Sequence, residues 1–229
     1  MRPRCSDCPV LSNALFRSFS SEEAARFACV FHPTHYSRNQ ILLFEGGTAQ
    51  HLFALRSGMA KMVKPLENGK ERIVRLLLAG EIFGLEALCD STYPLTCVVL
   101  QDSEICSVPR DKFLTFLHDN PDIALKMIRF LVQEMVQLRQ QITSMSFKDA
   151  RGRLATFLLS LVPGEVPLSS GGCQVTLPLT SQEIGELLEI SSETVSRAWS
   201  ALKADGLVQK RGRKVVIQDL PGLEDATRR

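Results

Sequence analysis

The stretch of residues 179–217 constrains the fold of this chain more than any other part of the sequence. Thr180 and Glu183 have the spacing of a capping box, in which a hydroxyl and a carboxylate close the first turn of a helix. Ser191 is placed to cap a second helix, and Gly206 is placed to end it, because glycine adopts the left-handed backbone without steric cost. The spacing predicts helices over 181–188 and 192–204 and a hairpin with strands at 207–208 and 215–217. This order of elements is typical of a winged helix-turn-helix.

The second predicted helix has two chemically different faces. Val195, Trp199 and Leu202 share one side at ~100° per residue, and we interpret that side as core. The opposite side carries polar side chains that can contact base edges: Glu193, Ser196, Arg197 and Ser200. Glutamate can accept a hydrogen bond from cytosine N4, and arginine can clamp guanine O6 and N7 with two donors. The alternative is that Glu193 and Arg197 form an exposed ion pair within the helix.

The predicted hairpin is strongly basic and is suited to contact with phosphate. The formal net charge of the whole chain is only +2, so the basic signal is local to this hairpin. Helix and hairpin together predict binding to double-stranded DNA. The candidate DNA-binding residues are Ser192, Glu193, Thr194, Ser196, Arg197, Ser200, Lys210, Arg211, Arg213 and Lys214.

Residues 187–207 closely resemble the DNA-binding domain of the CRP/FNR family of bacterial transcription regulators, with Ser192-Glu193-Thr194-Val195-Ser196-Arg197 as the most specific motif. The resemblance implies that Arg197 and Glu193 read a G·C pair and that Ser196 reads a neighbouring thymine. It further implies a homodimer bound to an inverted repeat of TTGA-like half-sites, with RNA polymerase as a partner. The alternatives are a regulator with an unidentified small-molecule effector and an enzyme, a thiol–disulfide oxidoreductase. We expect no enzyme, because the Cys5-x2-Cys8 motif precedes any predicted strand.

The region before the helix-turn-helix has the pattern of short antiparallel strands. Gly47, Gly58, Gly69 and Gly80 recur every eleven residues, which we interpret as the spacing of turns. This pattern predicts a sandwich or jelly roll. The family resemblance implies a β-roll like that of cyclic-nucleotide-binding domains. The predicted fold class is therefore α+β, with an N-terminal antiparallel β-roll, a long dimerisation helix and a C-terminal winged helix-turn-helix.

The residues of a cyclic-nucleotide site depart from the family pattern. A family member that binds cAMP places a glutamate directly after the second landmark glycine and an arginine about ten residues later. Here Leu85 follows Gly84, and Leu95-Thr96 stand in the region of the arginine. Because a buried phosphate without a cationic partner is costly, we expect no ordinary cAMP binding. Glu86, displaced by one position, is the alternative carboxylate.

Residues 121–147 are predicted to form the dimerisation helix. Their apolar residues step alternately four and three positions, which is the spacing of a coiled-coil seam. The seam consists of Ala124, Ile128, Leu131, Met135, Leu138, Ile142 and Met145. A second apolar stripe, Leu125, Val132 and Val136, is predicted to face the β-roll. The alternative is a helix that packs on its own domain alone.

Three cysteines are candidates for metal or redox chemistry: Cys5, Cys8 and Cys106. The resemblance implies this role, since FNR-type oxygen sensors hold a four-iron, four-sulfur cluster on three N-terminal cysteines and one cysteine in the position of Cys106. The third N-terminal cysteine is absent, because Asn13-Ala14-Leu15 stand where it is expected. Three alternatives remain open: an iron–sulfur cluster, a thiol–disulfide switch, or no cysteine chemistry or another effector. The expected signal is oxygen, redox state or nitric oxide.

The remaining cysteines and the histidines carry weaker signals. Cys29, Cys89, Cys97 and Cys173 are expected to be small buried residues. Haem is less favoured than an iron–sulfur cluster, because Pro33 prevents His32 and His35 from sharing a helical face.

The organisation of the chain follows from these elements. No apolar run approaches the length of a membrane span and no signal peptide is visible, so we expect a cytoplasmic bacterial protein without membrane contact. The predicted boundaries are a cysteine-bearing segment at 1–15, a β-roll at 16–120, a dimerisation helix at 121–147, a winged helix-turn-helix at 148–220 and a disordered tail at 221–229.

Overall fold

The chain forms two units, Met1–Val136 and Gln137–Arg229. The structure is a computed structural model that describes residues 8–66, 69, 71–145, 149–162 and 172–227. No helix within these described ranges is long and apolar enough to cross a membrane. The first unit is built around an antiparallel sheet and the second around a helix-turn-helix, so the predicted α+β class is confirmed.

The sheet of the first unit is organised by its two longest strands, which pair with each other along most of their length. The strand order is β1-β6-β3-β4, with β2 also on β6 and β5 also on β3. The strands are β1 His32–Tyr36, β2 Ile41–Leu43, β3 His51–Pro65, β4 Glu71–Leu78, β5 Ile82–Phe83 and β6 Thr96–Pro109. Burial is continuous over 52–55 of β3, which differs from the half-buried alternation that a solvent-facing strand shows.

Gly58 does not form a turn. It lies inside β3 at an irregularity in the pairing with β6, with φ of +95°. A Cβ at this position would meet Ser103 Oγ at 2.1 Å. The interpretation of the glycine spacing as turns is therefore wrong at Gly58, because close approach of β6 and the backbone of a bulge both require a residue without a side chain.

Helical segments cover the sheet and close its core. Phe27 on the first helix lies among several aromatic rings, including Phe113 at a centroid distance of 5.7 Å. Both rings are almost fully buried. Short 3₁₀ helices occur at Pro9–Ser12, Ala14–Ser18 and Leu85–Leu88, and the α-helices are α1 Ser21–Cys29, α2 Arg110–Asp119 and α3 Pro121–Met145.

The face of α3 that packs on the core differs from the predicted one. Ile123 and Met127 are buried, and Phe130 packs against the same core. The prediction that the stripe Leu125, Val132 and Val136 faces the β-roll is wrong, because all three side chains are exposed. The physical reason is angular: residues 123, 127 and 130 share a helix face that lies away from that stripe.

The second unit places its helices around a small three-stranded sheet of order β7-β9-β8. Leu154, Leu158, Ile184 and Leu202 are fully buried at the centre of its core. Its elements are α4 Ala150–Ser160, β7 Cys173–Thr176, α5 Ser181–Leu188, α6 Ser192–Ala204, β8 Val208–Arg211, β9 Lys214–Ile217 and α7 Leu220–Ala226.

The predicted tail contains a helix. Asp219 caps α7 by accepting a hydrogen bond from the Gly222 backbone N–H at 3.0 Å, and Pro221 lies in its first turn. Leu223 and Ala226 are buried. The expectation of disorder over 221–229 is therefore wrong for the residues up to Ala226, because this short polar sequence contributes two apolar side chains to the core.

Candidate nucleic-acid interface

The start of α5 is fixed by reciprocal hydrogen bonds between Thr180 and Glu183. The Glu183 backbone N–H donates to Thr180 Oγ1 at 3.2 Å, and the Thr180 backbone N–H donates to Glu183 Oε2 at 2.9 Å. The predicted capping box is confirmed. It satisfies backbone donors that would otherwise lack partners at the helix end.

The turn between the two helices depends on a glycine that sequence reasoning missed. A Cβ at Gly185 would lie 2.7 Å from the carbonyl oxygen of Ile190, and the Ile190 N–H donates to the Gly185 carbonyl at 2.9 Å. Glu189, with φ of 57°, reverses the chain. Ser191 then caps α6 as predicted, accepting from the Thr194 N–H at 3.1 Å. A glycine inside a short amphipathic helix was the available signal.

The two faces of α6 lie as the sequence predicts. Val195, Trp199 and Leu202 are buried, and the polar residues Ser192, Glu193, Ser196, Arg197 and Ser200 are exposed. Arg197 makes no hydrogen bond or ion pair with another residue of the described ranges, so its guanidinium is available to a partner. Thr194 differs from the others: it is half-buried, and its hydroxyl lies 3.0 Å from Ser191 Oγ.

Hydrogen bonds at the start of α6 lower the pKa of Glu193. Its own backbone N–H is the largest cause that lowers the pKa of Glu193, and the hydroxyls of Ser191 and Ser192 add to this. Attraction to Arg197 is a smaller cause. The carboxylate therefore interacts mainly with the N-terminus of α6 and less with Arg197. It can also accept a hydrogen bond from a base.

The hairpin β8–β9 divides its four cations between its faces and its turn. Lys210 pairs with buried Val215 and lies on the same strand face as buried Val208. Arg211 pairs with Lys214 on the opposite face, because successive side chains of a strand alternate. Arg213 lies in the turn, and all four cations are exposed.

Backbone hydrogen bonds attach this hairpin to the rest of the unit. The Leu207 N–H donates to the Leu202 carbonyl at 3.1 Å, which joins the hairpin to the end of α6. The Leu177 N–H donates to the Arg213 carbonyl at 2.7 Å, which joins its turn to the segment after β7. A buried helix face, an exposed polar face and an attached basic hairpin thus occur in one unit. This arrangement is suited to reading base edges and contacting phosphate.

Two protein-family profiles match the chain, in the order of the two units. The family described as "Cyclic nucleotide-binding domain" matches residues 33–120, and the family described as "Crp-like helix-turn-helix domain" matches residues 152–226. The chain belongs to the CRP/FNR family. The similarity to this family, which residues 187–207 carry, therefore includes the first unit as well.

Relatives of known name agree with this membership. The chain is 27% identical to the transcriptional activator protein FnrL of Cereibacter sphaeroides, over 93% of this chain and 87% of FnrL. It is 28% identical to the transcriptional activator protein FnrA of Stutzerimonas stutzeri, over 96% of this chain and 90% of FnrA. These relatives place it in the FNR-like branch of the CRP/FNR family. The protein is a DNA-binding transcription regulator.

Solved structures share the fold of this CRP/FNR protein. FixK2 from Bradyrhizobium japonicum has a TM-score of 0.73 and 24% identity, covering 86% of this chain and 97% of FixK2. A CooA variant from Carboxydothermus hydrogenoformans has a TM-score of 0.64 and 27% identity, covering 93% of this chain and 95% of that one.

The first unit of this CRP/FNR protein places two of the three candidate cysteines at one cavity. Cys8 and Cys106 line a space of about 430 Å³, together with Cys29 at the end of α1 and with Arg56. Cys5 lies outside the described residues. Within those residues, no three or more His, Cys, Asp or Glu side chains are grouped so that they could hold a metal ion. The described residues alone therefore do not form a complete cluster site.

The other cysteines and the histidine pair His32 and His35 are placed as follows. Cys97 is buried, and burial raises the pKa of its thiol to about 12. Cys29 and Cys89 are exposed and Cys173 is half-buried, so the expectation that all four are buried is wrong except at Cys97. His32 and His35 lie on opposite faces of β1, because they are three residues apart on a strand.

Leucine side chains occupy the two positions that differ from the cAMP-binding pattern. Leu85 and Leu95 are partly buried and pack against the core of the first unit. Thr96 is buried, and its hydroxyl accepts a hydrogen bond from the Glu45 backbone N–H at 3.0 Å. Neither leucine can neutralise or hydrogen-bond a cyclic phosphate or a ribose hydroxyl.

Proposed function

We propose that this regulator reads TTGA-like half-sites through the outer face of α6. Arg197 and Glu193 read the G·C pair, and Ser196 reads the neighbouring thymine. The observation that carries this proposal is the set of exposed polar side chains on the face opposite Trp199, among which Arg197 makes no hydrogen bond or salt bridge with any residue that the structure describes. A bidentate arginine–guanine contact contributes roughly 1–3 kcal/mol of discrimination against the wrong base.

The protein acts on DNA as a homodimer joined through α3. The seam residues Ile128, Leu131, Met135 and Leu138 are exposed within the single chain, although they are large and apolar. Leu125, Val132 and Val136 widen this exposed face. When this face packs against the same face of a second copy, its apolar side chains are removed from water. Ala124 is half-buried, and the side chains of Ile142 and Met145 lie outside the described residues.

A two-fold dimer explains the inverted repeat. Each copy presents one α6, so the two half-sites are related by the same two-fold axis as the protein, about one helical turn apart. RNA polymerase is the further partner that we propose from the family.

The effector is a redox signal rather than cAMP. Leu85 and Leu95 oppose binding of a cyclic phosphate, and the cavity lined by Cys8, Cys29 and Cys106 supplies thiols. In the thiol form of this proposal, Cys8 and Cys106 each lose a proton and one electron, a peroxide is reduced to two waters, and a disulfide forms. An iron–sulfur cluster that includes Cys5 is the second candidate, supported by the names of the FNR-type relatives.

Selection of binding sites from random duplexes tests the DNA-reading proposal. Reduced wild-type protein is expected to enrich inverted repeats of TTGA, and enrichment of an unrelated sequence would contradict the proposal. Substitution of Cys106 by serine tests the signal. Peroxide is expected to change the DNA affinity of the wild type and of the control C89S, whose cysteine is exposed away from the cavity lining, but not of C106S.

Iron and acid-labile sulfide, quantified on protein purified without oxygen, separate the two redox candidates. Stoichiometric iron and sulfide support the cluster, whereas a colourless protein with a peroxide-sensitive DNA affinity supports the thiol switch.

A further inference from the structure

Lys210 differs from the other cations of the β8–β9 hairpin, which we call the wing, in what its side chain contacts. Its Nζ lies 4.8 Å from the centre of the Trp199 ring, within the distance at which an ammonium ion is attracted to an aromatic face. The register of the hairpin explains this contact. Lys210 shares the inward strand face with Val208, whereas Arg211 and Lys214 share the outward face.

Trp199 is a suitable platform for this ammonium ion. The ring lies on the buried face of α6 and is only 8% exposed, so its position is fixed by the core. Its Nε1 is buried and has no hydrogen-bond partner among the described residues. A buried donor without a partner is costly, and an aliphatic side chain would fill the core without that cost. The aromatic face is therefore the property of tryptophan that this position uses.

We propose that Trp199 and Lys210 form a brace that positions the wing against the reading helix, and that Lys210 does not contact DNA phosphate. Phosphate contact is made by the outward cations Arg211 and Lys214 and by Arg213 in the turn. The backbone bond between Leu207 and Leu202 fixes the base of the wing, and the brace extends this attachment towards its tip. The inference deepens the proposed reading of DNA and rests on it.

The brace joins two parts of the interface that have different tasks. The helix α6 carries the side chains that read bases, and the wing carries the side chains that contact phosphate. The Trp199 ring on the inner face of α6 and the Lys210 ammonium group on the inner face of the wing keep these two parts at a fixed distance. Trp199 is thus a positioning residue, whose effect on DNA reaches the duplex through Lys210 and the wing.

The dependence of affinity on salt separates a brace from a phosphate contact. The slope of log K against log salt is negative, and each lost phosphate contact reduces its magnitude by about 0.9. Binding of a labelled TTGA duplex is measured by fluorescence anisotropy over a series of KCl concentrations for the wild type, K210M and R211M. We expect K210M to weaken binding about two- to fivefold without changing the slope. R211M, one residue along the same strand but on its other face, removes one contact from each copy of the dimer and is expected to reduce the magnitude of the slope by about 1.8.

The proposal would be overturned if K210M reduced the magnitude of the salt slope as much as R211M does. A K210M affinity for DNA equal to that of the wild type would overturn it as well. The same substitution in a W199F background provides a second measurement. Because phenylalanine offers a weaker aromatic face, K210M is expected to cost less there than in the wild type. An equal cost in both backgrounds overturns the brace.

Fluorescence of the free protein tests the brace without DNA. The chain has one tryptophan, so its emission reports on Trp199 alone. K210M is expected to shift the emission maximum, and an unchanged spectrum would count against the contact. If the wild type does not discriminate TTGA from altered sites, the proposed reading fails, while the emission of K210M still decides whether the brace exists.

Discussion

Arg211 and Lys214 lie directly opposite each other across the wing hairpin. Like charges in this relationship destabilise a sheet by roughly 0.2–1 kcal/mol, and a phosphate that binds both removes the repulsion. We therefore expect K214T to raise the free energy of unfolding of the free protein by roughly 0.2–1 kcal/mol while it weakens DNA binding. Urea unfolding and salt-dependent anisotropy measure the two effects. A less stable K214T protein, or one with full DNA affinity, would contradict this role.

The exposed face of α3 is expected to hold the dimer. Ile128 is 56% exposed within the single chain and belongs to the apolar seam. An aspartate there places a charge in the interface, so I128D is expected to be a folded monomer with weak DNA affinity. Sedimentation velocity measures the assembly and circular dichroism the folding. Gln133, an exposed residue on the polar side of the same helix, provides the control: Q133D should remain dimeric.

Glu23 and Lys126 connect α1 to α3. Lys126 Nζ lies 2.6 Å from both Glu23 carboxylate oxygens, and this hydrogen bonding is the largest cause that lowers the pKa of Glu23 from 4.5 to about 2. A lowered pKa in the folded state means that the stabilisation is present above pH ~4.5 and is lost as the pH falls towards ~2.

We therefore expect E23Q to lower Tm at neutral pH and to converge with the wild type between about pH 4.5 and 2. Thermal unfolding followed across this pH range measures the difference. E22Q, at the exposed neighbouring position, should match the wild type throughout. A Tm difference between E23Q and wild type that is constant with pH would contradict the ion pair as its source.

Gly58 is required by the packing of β6 against β3. In G58A, the new Cβ would lie 2.7 Å from Ser103 Cα, and the residue would keep a φ of +95°. Overpacking and left-handed strain together are expected to lower the free energy of unfolding by roughly 3 kcal/mol. Gly69 has φ of +76° but nothing within 4 Å of a Cβ, so G69A isolates the strain at about 1–2 kcal/mol. Urea unfolding of both variants measures the difference, and equal losses would contradict the packing argument.

The helix-turn-helix could be predicted from sequence because its signals are local. The bonds of Thr180 with Glu183, the Ser191 cap and the positive φ of Gly206 each depend on residues within a few positions. The amphipathic spacing then placed Trp199 on the buried face of α6 and Arg197 on its exposed face. Local rules were sufficient wherever an element is defined by its own neighbours in the chain.

The features that could not be predicted depend on contacts between distant segments. Gly58 has the spacing of a turn, but its role is set by Ser103 on another strand. The α3 residue Phe130 packs on the sheet domain because of where α3 crosses it, which spacing alone does not reveal. Cys29 joins the cavity of Cys8 and Cys106 although it is far from Cys106 in sequence. The division of the wing cations between two strand faces could be recognised only from the register of β8 and β9 in the structure.

The contact between Arg197 and the guanine of a TTGA half-site is the central claim, and a comparison of duplexes tests it most directly. Affinities of the wild type, R197A and K203A are measured for a TTGA inverted repeat and for a repeat in which the G·C pairs are replaced by A·T. The wild type and K203A, changed at an exposed position near the end of α6, should prefer TTGA by about 5- to 150-fold per half-site, as roughly 1–3 kcal/mol implies. R197A should lose most of this preference and keep only the part that Glu193 contributes through cytosine N4. A wild-type protein without this preference, or an R197A protein that retains it in full, would contradict the account.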